Sequence, residues 1–203
     1  MLRQKAKLLS LRGDDGAFTM QLSYAQIPRR HVNRMDLKEV FCFVSPQLRD
    51  AAIKTADRLN SLGIRYALAG GLAVGAHGYV RATTHVDFLV GEEAFEHHES
   101  MVAFKAGVPI EVDGVRIDYM SPVSLGPQVE EVLDRPLMNE GLAIVPIEVL
   151  IYIKLAAKRR RDLVDVVELV KAGADVNRVR DYLRQYASDL VPAFDELVNE
   201  ALG

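Results

Sequence analysis

From Leu37 onward the hydrophobic positions switch between two periods. Leu48, Ala52, Ala56 and Leu59 recur at helical spacing behind Ser45 and Pro46. A hydroxyl cap followed by a proline at the first helical position predicts a helix there, and Gly63 can close it in the left-handed conformation. Arg65-Tyr66-Ala67-Leu68-Ala69 is a short apolar run between Gly63 and Gly70, which predicts a buried strand. Gly70-Gly71 predicts a sharp turn, Leu72 to Ala76 a short helix, and His85 to Val90 a second strand. Alternation along that strand puts His85 and Asp87 on one face and Val86, Phe88 and Val90 on the other. Glu92 to Ser100 reads as a polar, partly helical connection whose adjacent His97 and His98 make a poor metal pair on a solvated face. Ile110 to Val112, Asp113-Gly114 and Val115 to Met120 predict a hairpin with a tight turn. In its second strand Val115, Ile117 and Tyr119 face one side, and Arg116, Asp118 and Met120 the other. Gln128 to Leu133 predicts a short helix and Leu142 to Val145 a short strand. Beyond Ile147 the period is helical throughout. Val149, Ile153 and Ala157 form one stripe, widened by Leu150 and Ile151, and helices follow over roughly 162–172, 176–186 and 190–202.

This order predicts an α/β fold: a mixed β-sheet core with flanking helices over 35–146, then a small α-helical domain over 147–203. Residues 1–34 show no sustained period and hold the turn-prone Gly-Asp-Asp-Gly at 13–16. They are expected to be a mobile basic extension, with Met20 and Met35 as alternative starts. Seven basic and two acidic residues give that stretch +5, which leaves −8 of the total −3 for the remainder. Whole-molecule charge therefore makes no case for nucleic-acid binding. A basic tail could hold nucleic acid or address an organelle, but a solvated extension is the preferred expectation. Cys42 is the only cysteine, which excludes an internal disulfide and suits a reducing compartment. No apolar run approaches the length of a membrane span, and the beginning lacks a signal peptide's apolar core. A soluble cytoplasmic protein with no membrane partner is expected.

Gly70, Gly71, His77, Gly78, Arg81, Thr83 and Asp87, in that order after a strand, resemble the nucleotidyltransferase superfamily, whose fold is shared with DNA polymerase beta. The chain is most similar to its small bacterial branch of minimal nucleotidyltransferases and abortive-infection toxins, over roughly residues 45–200. Lys154, Arg159 to Arg161, Asp162 and Asp165 resemble that family's Lys…Arg-Asp-x-x-Asp motif. The resemblance implies transfer of a nucleoside monophosphate from a nucleoside triphosphate to a hydroxyl acceptor, such as tRNA, a protein or a small molecule, with Mg²⁺ or Mn²⁺ as cofactor. It implies Asp87, Asp118 and Lys154 as catalytic residues, and Asp87, Asp118 and His85 around the metal. Gly70, Gly71, Arg81, Thr83, Lys154 and Asp162 would then hold the nucleotide, and a toxin-like member would have a cognate antitoxin protein as partner. Leu72 departs from the pattern, where many members have Ser or Thr. His85 departs more seriously, because it stands where the first Asp of Asp-x-Asp belongs.

Each of these positions has a plainer alternative. Asp118 is a third site carboxylate only if its strand lies beside that of Asp87; otherwise it is an edge residue paired with Arg116 or solvent. Arg81 contacts phosphate or braces its loop by pairing with a carboxylate. Lys154, Lys158, Asp162 and Asp165 share a face if the helix is continuous, and Arg161–Asp165 and Arg159–Asp162 pairs would make the same segment a solvated charged face. His85 admits three roles. A neutral imidazole offers one lone pair and no charge, so it cannot bridge two oxygen-loving ions. The site is then degenerate, or runs on a single ion or a softer one such as Mn²⁺ or Zn²⁺, or tolerates the change. The alternative to an enzyme is a nucleotide-binding or regulatory module without catalysis, and a third option is an acidic scaffold for a partner protein.

Overall fold

The computed structural model describes residues 35–98 and 101–203, so the extension expected over residues 1–34 lies outside the described residues. Two helices, α1 (Leu37–Phe41) and α2 (Pro46–Ser61), lead into β1 (Tyr66–Leu68), α3 (Gly70–Ala76) and β2 (His85–Val90). Next come β3 (Phe95–His98), β4 (Met101–Phe104), β5 (Glu111–Val112), β6 (Val115–Met120), α4 (Pro127–Asp134), β7 (Leu137–Asn139) and β8 (Leu142–Ile144). The chain then turns helical in α5 (Ile147–Ala157), α6 (Arg160–Lys171), α7 (Val176–Tyr186) and α8 (Val191–Leu202). The class is α/β, with a mixed sheet, flanking helices and a helical C-terminal part. No described helix is long and apolar enough to cross a membrane.

Six strands form one sheet in the order β5-β6-β2-β1-β8-β7. β1 pairs antiparallel with β2 and parallel with β8, while β2 pairs parallel with β6. The two parallel pairs flank the central antiparallel β1·β2 pair, and the strands there are rich in buried apolar residues. Phe88, Leu68 and Ile144 are fully buried there, and Leu150 and Ile151 of α5 belong to the same core. α5 is buried on nearly all sides, which explains its almost uniformly apolar sequence and makes the burial of a lysine within it notable.

Local chemistry accounts for most elements. Ser45 accepts a hydrogen bond from the Leu48 amide at 3.2 Å, Pro46 occupies the first turn, and Gly63 has φ +68° after the helix. Asp113 and Gly114 both have positive φ, as a type I′ turn between β5 and β6 requires.

Three expectations need correction. The stretch after β2 is not a polar helical connection. After a 3₁₀ turn at Glu92–Ala94, β3 and β4 pair as a separate two-stranded sheet. Its anchor is aromatic: Phe95 and Phe104 stack with centroids 5.3 Å apart, and Phe104 meets Tyr119 of β6 at 5.2 Å. Those contacts are distant in sequence, so local periodicity could not show them. His97 and His98 are exposed on β3, beside Glu92 and Glu96. Secondly, α3 begins at Gly70, so the glycines are its first residues and not a turn before it. Thirdly, two separate helices run beyond Ile147 as expected, so Lys154, Lys158, Asp162 and Asp165 do not share the face of one continuous helix. Lys158 adopts the left-handed conformation at φ +55°, and α6 starts anew at Arg160. The strand β7 and helix α1 had no sequence signal of their own. The Asn139 side chain accepts from the Leu37 amide and donates to the Met35 carbonyl, tying one to the other.

Candidate functional site

β1 ends at Leu68, and the backbone turns through Ala69 into Gly70 at φ +53°. Antiparallel pairing brings the start of β2 to this same end, with the Ala69 amide donating to the Asp87 carbonyl at 2.9 Å. A Cβ on Gly70 would lie 1.8 Å from Asp87 Oδ2. Glycine is therefore required twice here, by the dihedral and by the carboxylate pressed against the backbone. The Gly71 amide donates to the Asp87 carboxylate, and a Cβ on Gly71 would crowd Thr83 at 2.9 Å. The two glycines shape a seat for an acid.

Asp118 is the direct cross-strand neighbour of Asp87 in the parallel β2·β6 ladder. His85 Nε2 lies 3.5 Å from Asp87 Oδ1 and 3.8 Å from Asp118 Oδ2, and one donor atom from each of the three residues falls within a 4.8 Å cluster. Among the described residues this is the one group of three or more such donors with that closeness. Both alternatives for Asp118 meet in one geometry, because Arg116 also donates to its Oδ2 at 2.7 Å. Burial pushes the Asp87 carboxyl above its ordinary value. His85 opposes that shift and Asp118 adds to it, while Lys154 and the Gly71 amide pull the other way. A carboxyl raised by burial and by an acid neighbour is one that a nearby positive charge would stabilise in its ionised form. The donor set of two carboxylates and an imidazole suits one divalent cation, and nitrogen among the ligands favours Mn²⁺ or Zn²⁺ over Mg²⁺.

Asp87, His85, Gly70, Gly71, Thr83 and Arg81 line a cleft of about 140 Å³ between the sheet and the α5–α6 corner. Met120, Leu150, Ile153 and Ala157 form its apolar wall, and Lys154, Arg159, Arg161 and Asp162 its charged one. Thr83 donates its hydroxyl to the His85 carbonyl at 3.1 Å, and so fixes the loop leading into β2.

The charged wall is closed on itself. Lys154, only 4% exposed, donates to Asp162 at 3.0 Å and to Asp165 at 2.6 Å. Arg81 grips both Asp165 oxygens, at 2.6 and 2.8 Å, a bidentate pairing suited to guanidinium geometry. Burial opposes the charge on Asp165, but the hydrogen bonds from Arg81 and then Lys154 outweigh it and hold the carboxyl below its ordinary value. Arg81 thus makes the bracing pair with a carboxylate while also lining the cleft. Arg159 approaches Asp162 at 3.2 Å, as the charged-face alternative anticipates, whereas Arg161 donates to the Ala82 carbonyl at 2.5 Å and does not pair with Asp165. These groups meet because the chain folds back at Lys158; continuous helical spacing is not what aligns them. Asp165 itself, the hub of the network, had only the motif spacing as its signal. His77 is buried, with Nε2 2.8 Å from the Val145 carbonyl, and so ties α3 to the segment before α5.

No protein-family model and no curated protein matches the chain. Among solved structures it is similar to an antigenic nucleotidyltransferase-like protein from Paracoccidioides brasiliensis, at 17% identity and a TM-score of 0.39, over 74% of this chain and 93% of that one. At that degree of likeness, function has to be read from the cleft.

Proposed function

We propose that the cleft binds a nucleoside triphosphate with one divalent cation and transfers its nucleoside monophosphate to a hydroxyl acceptor. The observation that carries this is the register of β2 against β6, which sets Asp87 beside Asp118 with His85 between them, next to the glycines that begin α3. A cation bound there would offset the carboxylate charge and polarise phosphate oxygens. Asp87 would be the inner ligand of such a cation, with the Gly71 amide fixing its orientation. Asp118 Oδ1, the oxygen that Arg116 leaves free, is suited to take the proton of the acceptor hydroxyl. The hydroxyl oxygen then bonds to the α-phosphorus as the bond to pyrophosphate breaks. The apolar wall of Met120, Leu150 and Ile153 accommodates the base, and Lys154 lends its charge to the phosphates through the rim. The acceptor, whether tRNA, a protein or a small molecule, and any antitoxin partner belong to the same proposal.

A second reading, a nucleotide-binding module without transfer, is favoured by one specific observation: Lys154 and Arg81 are already neutralised by Asp162 and Asp165. The deciding experiment incubates the protein with α-labelled nucleotides, tRNA, and Mn²⁺ or Mg²⁺. Label transfer that disappears in Asp87→Ala supports the transferase. Nucleotide retained without transfer supports the module, and no nucleotide affinity at all overturns both.

A further inference from the structure

A larger cleft, of about 380 Å³, lies on another face, walled by α4, the start of α5, and α7. Its lining residues on α4 and on α7 recur at spacings of three and four, so each helix turns one whole face toward it. Val132, Pro146 and Val149 supply its apolar lining, among charged, amide and tyrosine side chains.

The walls narrow the ligand. Tyr182 and Tyr186 of α7 stand with ring centroids 4.9 Å apart at 52°, and Tyr186 remains 41% exposed, leaving an aromatic surface uncovered. Tyr182's hydroxyl is buried with no hydrogen-bond partner among the described residues, a costly state for a group with no role. Burial also raises the Tyr182 phenol well above its ordinary value, so it stays a neutral donor. Glu131 of α4 and Arg135, the residue just after α4, both line the cleft, and among the described residues neither has an ion pair. By contrast Arg178 is committed to Glu148. Asp181 is paired with Arg184, so of the charged lining residues the two without an ion pair are one acceptor and one donor beside a tyrosine face, with charges that cancel.

We propose that this cleft is a second ligand site, for a nucleobase that carries both an exocyclic amino group and a carbonyl. The base would stack on Tyr186, donate its amino group to Glu131 and accept from Arg135 at its carbonyl. Guanine and cytosine have both groups; adenine lacks the carbonyl and uracil the amino group. Guanine, with the larger ring face, is the preferred occupant. The near-neutral walls suit a nucleoside or a single exposed base better than a polyphosphate.

Calorimetric titration with the four ribonucleosides, which carry no phosphate, tests this on the full chain. Guanosine binds most tightly, then cytidine, with adenosine and uridine at least fivefold weaker. Tyr186→Ala, at an exposed ring, lowers guanosine affinity at least tenfold, Glu131→Gln abolishes the preference over uridine, and Asp87→Ala leaves both unchanged. A short guanine-containing single-stranded RNA run in parallel identifies the source: tighter binding than guanosine, still lost in Tyr186→Ala, means a base within a strand. Absence of binding by any nucleoside or by the RNA overturns the proposal. So does binding that survives Tyr186→Ala and is lost in Asp87→Ala, because the nucleoside would then occupy the other cleft.

Discussion

The two ends of the cleft beside the sheet treat charge in opposite ways. At the α5–α6 corner the buried charges are paired: Lys154 is held by two acids and Asp165 by two cations, while Asp162 Oδ2 has an ion-pair contact with Arg159 but no hydrogen bond. At the strand end two acids face one imidazole at distances beyond a good hydrogen bond, and burial raises Asp87. One end is a structural joint, and the other is where a positive charge would stabilise an ionised acid. That difference separates residues that hold the fold together from residues available to a cation.

The largest effect should come from breaking the joint. Asp165→Ala would strand the Arg81 guanidinium and leave the buried Lys154 ammonium with Asp162 alone, at a cost of about 3–5 kcal/mol, read by urea denaturation. Lys154→Ala should also destabilise, since it leaves buried carboxylate undercompensated. The same joint predicts acid behaviour. Asp165 is held below its ordinary value, so its stabilisation is complete above the unfolded value of about 3.9 and is lost only as pH falls through the lower folded value. A melting curve that loses stability well above pH 4 in wild type but not in Asp165→Asn would contradict this assignment.

Next in size, Gly70→Ala should cost about 1–2 kcal/mol from the left-handed dihedral alone, and more from its collision with Asp87. Nucleotide and cation binding, followed by calorimetry, should fall with it. A smaller change sharpens the other side of the comparison. His85→Asp adds a third carboxylate, and should shift preference from Mn²⁺ toward Mg²⁺ with roughly tenfold gain in Mg²⁺ affinity, about 1.4 kcal/mol. Unchanged metal preference would show that the imidazole is not a ligand.

Smallest of all should be Asp87→Asn in the absence of metal. Because the Asp87 value is raised on folding, its ionised form costs stability at neutral pH, and that penalty vanishes below the ordinary carboxylate range. The variant should equal or slightly exceed wild type near pH 7, within about 1 kcal/mol, with the difference gone at acid pH. Destabilisation at neutral pH would mean that Asp87 is a structural acid like Asp165.

Much of this was legible in the chain because it is written locally. Ser45-Pro46 marks the start of α2, Asp113-Gly114 the hairpin turn, and the alternation in β2 and β6 the faces on which Asp87 and Asp118 lie. Their adjacency needed one further fact, that β6 lies parallel beside β2, which the motif order suggested and no local period encodes. What could not be read is non-local. The β3–β4 hairpin depends on Phe95 and Phe104 reaching Tyr119, and the Lys154–Asp165–Arg81 joint depends on a left-handed break at Lys158, a residue with no glycine to announce it. The tyrosine-lined cleft is likewise non-local, since its lining comes from α4, the start of α5 and α7.

Direct titration of the protein with Mn²⁺, in wild type and in Asp87→Asn, tests the central assignment most plainly. The account predicts one equivalent bound by wild type, with binding lost in the variant while its thermal stability stays close to wild type. Mn²⁺ binding of equal strength in both proteins, or none in either, would contradict it.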